Sequence, residues 1–270
     1  MNHLPKNPIG IFDSGIGGLT VAHAVSELLP NENMIYFGDT AHLPYGEKSI
    51  AAIQAYTVKI CDFLLSKKCK VILIACNSAS AAGFELAKEY VASRAKVLNV
   101  IDPVVEYVSQ KYSYKRVGLI GTRATVNSRA YPQKLSLLNP TITLQSLATP
   151  LLASMIEEGF FNNSVSKAAL EAYLSNPVLK GIEALILGCT HYPLIKKEIE
   201  AFYKGKVEVI DGSYKVAEAL KNYLTENRLL KTTLGSRKKF YVSDFTESFE
   251  ASTKIFFGRK VHLNFYRLWE

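Results

Sequence analysis

A chain of 270 residues, 48% apolar and 21% charged, has the composition of a globular protein with a sizeable core, in one large domain or two modest ones. No apolar run nears the roughly 18 residues of a membrane span and no signal-peptide pattern opens the chain, so a cytoplasmic protein without a membrane partner is expected. The formal charge of +8 raises nucleic acid as a partner, and residues 204–260 hold 12 Lys and Arg against 7 Asp and Glu. The densest cluster there is only Arg237-Lys238-Lys239 ahead of an apolar stretch. A solvated strand entrance accounts for it, so nucleic acid is not expected and the positive field suits an anionic small substrate.

In chain order, Pro8–Phe12 reads as a short buried strand, followed by the turn Asp13-Ser14-Gly15-Ile16-Gly17-Gly18 and a helix to about Leu29. Such a turn brings backbone close to a ligand and offers helix N–H groups to an anion, although it is equally a tight connection capped by Asp13 and Ser14. A second strand, Met34–Phe37, leads to Gly38-Asp39-Thr40 and to Pro44-Tyr45-Gly46, a turn able to present consecutive amides. A helix from about Ser49 to Lys67 precedes the apolar strand Val71–Ile74, which runs into Ala75-Cys76-Asn77-Ser78. A helix over 81–95 and a strand over 97–101 complete a βαβαβαβ order, the rhythm of a parallel sheet with helices on both faces.

The pattern restarts at Arg116–Thr125, which mirrors the first strand and turn. A helix end is expected at Met155–Gly159 and a helix near Ser166–Leu174; the apolar strand Ala184–Leu187 then runs into Gly188-Cys189-Thr190-His191. Cys76 follows Gly10 by 66 residues and Cys189 follows Gly118 by 71. Near-equal offsets predict two related half-units, each giving one cysteine to a shared cleft. Further strands are expected over 207–211, 239–242 and 261–265, with helices over 214–227 and 245–257. The tail is expected to return to the first unit, giving an α/β protein with residues 1–100 and 209–270 in one domain and 101–208 in the other.

Four cysteines in a reducing compartment are read as thiols, and no CxxC or histidine spacing suggests a metal. Cys61 and Cys69 read as buried filler. Cys76 and Cys189 stand instead at the carboxyl ends of strands, where open α/β sheets place ligands, beside helix starts that lower a thiol pKa. Asp13 could tune one and His191 the other. A pair so placed can be core filler, a disulfide, a nucleophile with a spare, or two acid–base groups.

The blocks Ile9–Leu19, Tyr36–Gly46, Leu73–Ser80, Gly118–Thr125, Glu157–Gly159 and Leu187–Leu194 together resemble the glutamate racemases, of the cofactor-independent aspartate/glutamate racemase superfamily. The similarity covers the whole chain, with Ser78 where threonine is usual and His42 where arginine is common. What the resemblance implies is two similar α/β domains, pseudo-symmetric about a shared cleft, interconverting L- and D-glutamate for peptidoglycan without a cofactor or a metal, in a homodimer. Cys76 and Cys189 would be the two acid–base groups on opposite faces of Cα. Asp13 would pair with the substrate ammonium or assist Cys76, while His191, with Glu158 a further helper, would assist Cys189. Asp13, Ser14, Tyr45, Gly46, Asn77, Ser78, Thr190 and His191 would hold the amino acid. The rivals are an aspartate racemase, a racemase using pyridoxal phosphate, which needs a Schiff-base lysine, and a non-catalytic two-lobe amino-acid binding protein.

Overall fold

The computed structural model describes residues 4–270. Its first sheet takes β1 (Ile9–Asp13), β2 (Met34–Gly38), β3 (Val71–Ile74) and β4 (Lys96–Asn99), joined by α1 (Leu19–Leu28), α2 (Ile50–Ser66) and α3 (Asn77–Val91). After α4 (Ile101–Lys111) the second sheet takes β5 (Arg116–Gly121), β6 (Thr143–Ala148), β7 (Ala184–Gly188) and β8 (Glu208–Ile210). Helices α5 (Arg123–Asn127), α6 (Ala130–Leu138), α7 (Pro150–Glu157), α8 (Ser164–Leu174) and α9 (Lys196–Tyr203) fill its crossovers. Then α10 (Ser213–Glu226) leads to β9 (Lys238–Val242), α11 (Glu247–Phe257) and β10 (Leu263–Phe265).

Every strand pairing is parallel; the first sheet runs β10-β9-β2-β1-β3-β4 and the second β6-β5-β7-β8. The segments β2-β1-β3-β4 and β6-β5-β7-β8 have the same order, so the half-units related by the cysteine offsets are also related by topology. In each, the chain leaves the central strand toward one side and returns to the other, making a switch point between β1 and β3 and its counterpart between β5 and β7. The expected boundary at 209 falls inside β8, and Glu208–Ile210 pair with Ala184–Ile186 in the second sheet.

Strands buried on both faces need continuous apolar runs, and β1, β3 and β7 are buried throughout. One core cluster joins both units through Ile9, Leu19, Ile120, Leu187 and Tyr192, so the two switch points are fixed across a common core. At the opposite end of β3 the buried Lys70 donates to Glu32 at 2.6 Å and to the carbonyls of Pro5 and Leu229 at 2.6 and 2.8 Å. No described helix is long and apolar enough to cross a membrane.

Candidate active site

Asp13 closes β1, is buried, and accepts the N–H of Gly15 at 3.0 Å and the Ser14 hydroxyl at 3.4 Å. Burial raises its pKa, with His191 and the amides of Gly15 and Gly18 acting against the rise. Cys76 closes β3. The helix expected from 81 begins at Asn77, because Cys76 itself caps it: Sγ accepts the Ala79 N–H at 3.4 Å and donates to Ser14 Oγ at 3.7 Å. A helix start was expected to lower this thiol pKa, yet burial and the negative charge of Asp13 push it up to about 12 against the Ala79 and Ser14 contacts. Desolvation of a buried sulfur outweighs one amide dipole.

Cys189 closes β7 under different local geometry. The chain enters a 3-10 turn, Tyr192–Ile195, rather than a long helix, and this brings His191 Nδ1 to 3.5 Å from Cys189 Sγ. Nε2 of the same ring meets Glu157 Oε1 at 2.8 Å. Burial would lower the His191 pKa, but negative charge at Cys189 and Glu157 on its two sides holds it well above 6.5. The imidazole occupies the space that a Cβ on Gly17 would need, so the glycine of the first turn is what admits the second unit's histidine.

Hydroxyl groups stitch the halves together. Thr190 Oγ1 donates to Asp13 Oδ1 at 3.3 Å, and Thr20 Oγ1 to the Thr190 carbonyl at 3.1 Å. Ser78 Oγ lies 2.8 Å from Thr122 Oγ1, and the Tyr131 hydroxyl donates to Asn77 Oδ1 at 2.8 Å. Beneath Asn77, Cys189 and Thr190 lies a cavity of about 20 Å³, room for about one water. Tyr45 and Gly46 are both buried. The Tyr45 hydroxyl is committed to Asp39 at 2.6 Å, and a Cβ on Gly46 would lie 2.7 Å from Thr122 Cβ.

The structure thus brings together Asp13, Ser14, Cys76, Asn77, Ser78, Cys189, Thr190 and His191, with the Tyr45–Gly46 turn at the rim. Glu158 is the exception: it is exposed at the end of α7, and its neighbour Glu157 reaches His191. Helical periodicity could have chosen between them, since Glu157 lies one turn after Ala153, on the side that α7 buries, and Glu158 one turn after the exposed Ser154. Sequence reasoning also missed Thr122, Tyr131 and Asp39. Cys61 and Cys69 are buried in the cluster on the first sheet's outer face, both pushed up to about 12 by burial.

The Asp/Glu/hydantoin racemase family model matches residues 19–220. The chain is 39% identical over 257 residues to glutamate racemase of Neisseria meningitidis serogroup A, covering 94% of each. It is 37% identical over 256 residues to glutamate racemase 3 of Caldanaerobacter subterraneus subsp. tengcongensis, covering 94% of this chain and 92% of that protein. Among solved structures it is similar to the Francisella tularensis glutamate racemase in complex with D-glutamate, at TM-score 0.93 and 40% identity, covering 98% and 99% of the two chains. Glutamate racemase of Thermus thermophilus in complex with β-chloro-D-alanine follows at TM-score 0.87 and 36% identity, covering 97% and 98%.

Proposed function

Because the chain belongs to the Asp/Glu/hydantoin racemase family, we propose that it interconverts L- and D-glutamate and supplies D-glutamate for peptidoglycan, working in the cytoplasm as a homodimer. The observation that supports the mechanism is the pair of thiols, Cys76 and Cys189, which follow topologically equivalent strands of the two sheets. Inverting a stereocentre needs a base on one face of Cα and an acid on the other, and two thiols can exchange those roles with direction. Their partners differ. Cys76 keeps its proton, held on the sulfur by burial and by Asp13. Cys189 faces a protonated His191 backed by Glu157. One side thus holds its proton on sulfur, while the other has an imidazolium beside its sulfur.

Ser14, the Tyr45–Gly46 backbone, Asn77, Ser78 and Thr190 are the groups we assign to the substrate carboxylates and Asp13 to its ammonium, with residues 1–100 and 211–270 as one lobe and 101–210 as the other. The test is a chirality assay on extensively dialysed protein without added cofactor. L-glutamate should racemise, whereas dependence on pyridoxal phosphate would overturn the reading. Either cysteine-to-alanine variant should nearly abolish racemisation. Each cysteine-to-serine variant keeps one competent thiol and should still eliminate a leaving group from a β-substituted glutamate analogue. The two serine variants should prefer opposite enantiomers; a shared preference would mean that the thiols do not flank Cα.

A further inference from the structure

Asp39, at the end of β2, is a buried carboxylate whose oxygens take four side-chain donors among the described residues. The Tyr45 hydroxyl donates to Oδ2 at 2.6 Å and the Ser243 hydroxyl to Oδ1 at 2.6 Å, with His42 Nδ1 3.0 Å from Oδ2. The fourth is the indole N–H of Trp269, at 2.8 Å from Oδ1, on a residue 230 positions later in the chain. The indole ring stands edge-on to His42 and Tyr56, at centroid distances of 4.5 and 5.3 Å, and His42 stacks on Tyr56 at 4.2 Å. Tyr56 in turn leans on Tyr45 at 5.4 Å.

The Pro44–Tyr45–Gly46 turn is therefore held on one side by this hub. On the other it abuts the second unit, through Gly46 against Thr122 and through Glu47, which pairs with Arg123 at 2.8 Å. A buried carboxylate short of a donor either admits water or pulls on the donors that remain, and one of those, at 2.6 Å, is Tyr45 in the substrate turn. We propose that Trp269 is a positioning residue: the C-terminal segment is a strap whose indole N–H, through Asp39, fixes the Tyr45–Gly46 turn in its substrate-binding shape. The inference rests on the racemase reading above.

Trp269→Phe keeps an aromatic ring and removes the N–H. It should raise KM for glutamate about three- to tenfold while kcat stays within about twofold, the loss of a fraction of one charge-assisted hydrogen bond. A residue that merely stabilised the fold would lower Tm and leave KM unchanged. Coupling is reciprocal: if the docked strap favours glutamate, saturating glutamate must slow hydrogen exchange of the indole N–H by a similar factor. Trp269 is the chain's one tryptophan, so its indole resonance is unambiguous. A raised KM in Trp269→Phe together with slowed exchange in the unaltered protein supports the strap. A parental KM in the variant, or exchange indifferent to glutamate, overturns it, and should the variant fail to fold the exchange measurement decides alone. An unaltered protein inactive on glutamate would sink both readings; an active one with those negative results sinks the strap alone.

Discussion

Replacing Glu157 with glutamine should shift the pH profile of racemisation. His191 Nε2 and Glu157 Oε1 are 2.8 Å apart, and the two side chains are only 6% and 18% exposed, so the bond is charge-assisted and little screened. Such a bond contributes about 1.5–3 kcal/mol. At 1.36 kcal/mol per pKa unit, losing the carboxylate charge should drop the His191 pKa by about 1–2 units. The sign follows from the charge: Glu157 favours imidazolium, and removing it favours imidazole. If Cys189 takes its proton beside a protonated His191, the basic limb of kcat/KM should move to lower pH by the same amount. Enantiomers have equal free energies, so kcat/KM must remain equal for L- and D-glutamate in every variant; the limb must shift equally in both directions.

His191 also enters stability. Its folded pKa lies well above 6.5, so it contributes stability that is fully present below about 6.5 and is lost as pH rises through the raised value. Glu157→Gln should therefore cost most stability in mild acid and least above the raised pKa. Polarimetric progress curves across pH, fitted for both enantiomers, measure the limb. A basic limb that superimposes on the parent's would show that Glu157 does not set the proton affinity of His191. Glu158→Gln, altering an exposed neighbour, should leave the profile unmoved.

Ser78→Ala removes the hydroxyl 2.8 Å from Thr122 and should raise KM for glutamate about tenfold, near 1.4 kcal/mol, while Ser78→Thr should stay within about twofold; a parental KM in the alanine variant would make the hydroxyl purely structural. Lys70→Ala strands the buried Glu32 carboxylate and should cost about 3–5 kcal/mol in urea unfolding, with less than about 1 kcal/mol refuting the buried pair as a fastening of the segment at Leu229. L-Aspartate, one methylene shorter, should be turned over with kcat/KM lower by about 10- to 200-fold, and equal values would contradict a site sized for glutamate.

Strands were legible in the sequence wherever burial on both faces demanded an unbroken apolar run, as in Val71–Ile74 and Ala184–Leu187. Two elements that carry no such run, β6 and α4, were missed. Strand β6 lies at a sheet edge and is at most half-buried, and its Thr-Leu-Gln-Ser-Leu-Ala carries no such run. Helix α4 opens with Ile101-Asp102-Pro103, where the proline falls in the first turn and costs nothing, yet Val100 and Ile101 read as the end of the preceding strand and no helix was expected after them. Asp39 could not be recognised as a hub at all, because Ser243 and Trp269 reach it from 204 and 230 residues away and only the return of β9 and β10 to the first sheet brings them near.

What the near-repeat could not disclose is the difference between its halves. Both cysteines end equivalent strands, so the offsets of 66 and 71 residues foretell their placement. Beyond each strand, however, the chain diverges: after β3 a long helix begins at once and buries a capping thiol, whereas after β7 a 3-10 turn swings His191 back onto the sulfur. Racemisation demands symmetric placement about Cα, since a proton must leave one face and arrive at the other. It does not demand symmetric partners. Identical sites would give the two thiols equal proton affinities, so a singly protonated pair would carry its proton on either sulfur equally. Unlike surroundings give the two sulfurs different partners, burial and Asp13 holding the proton on Cys76 while His191 lies against Cys189, so the departure from symmetry is as much a part of the site as the symmetry itself.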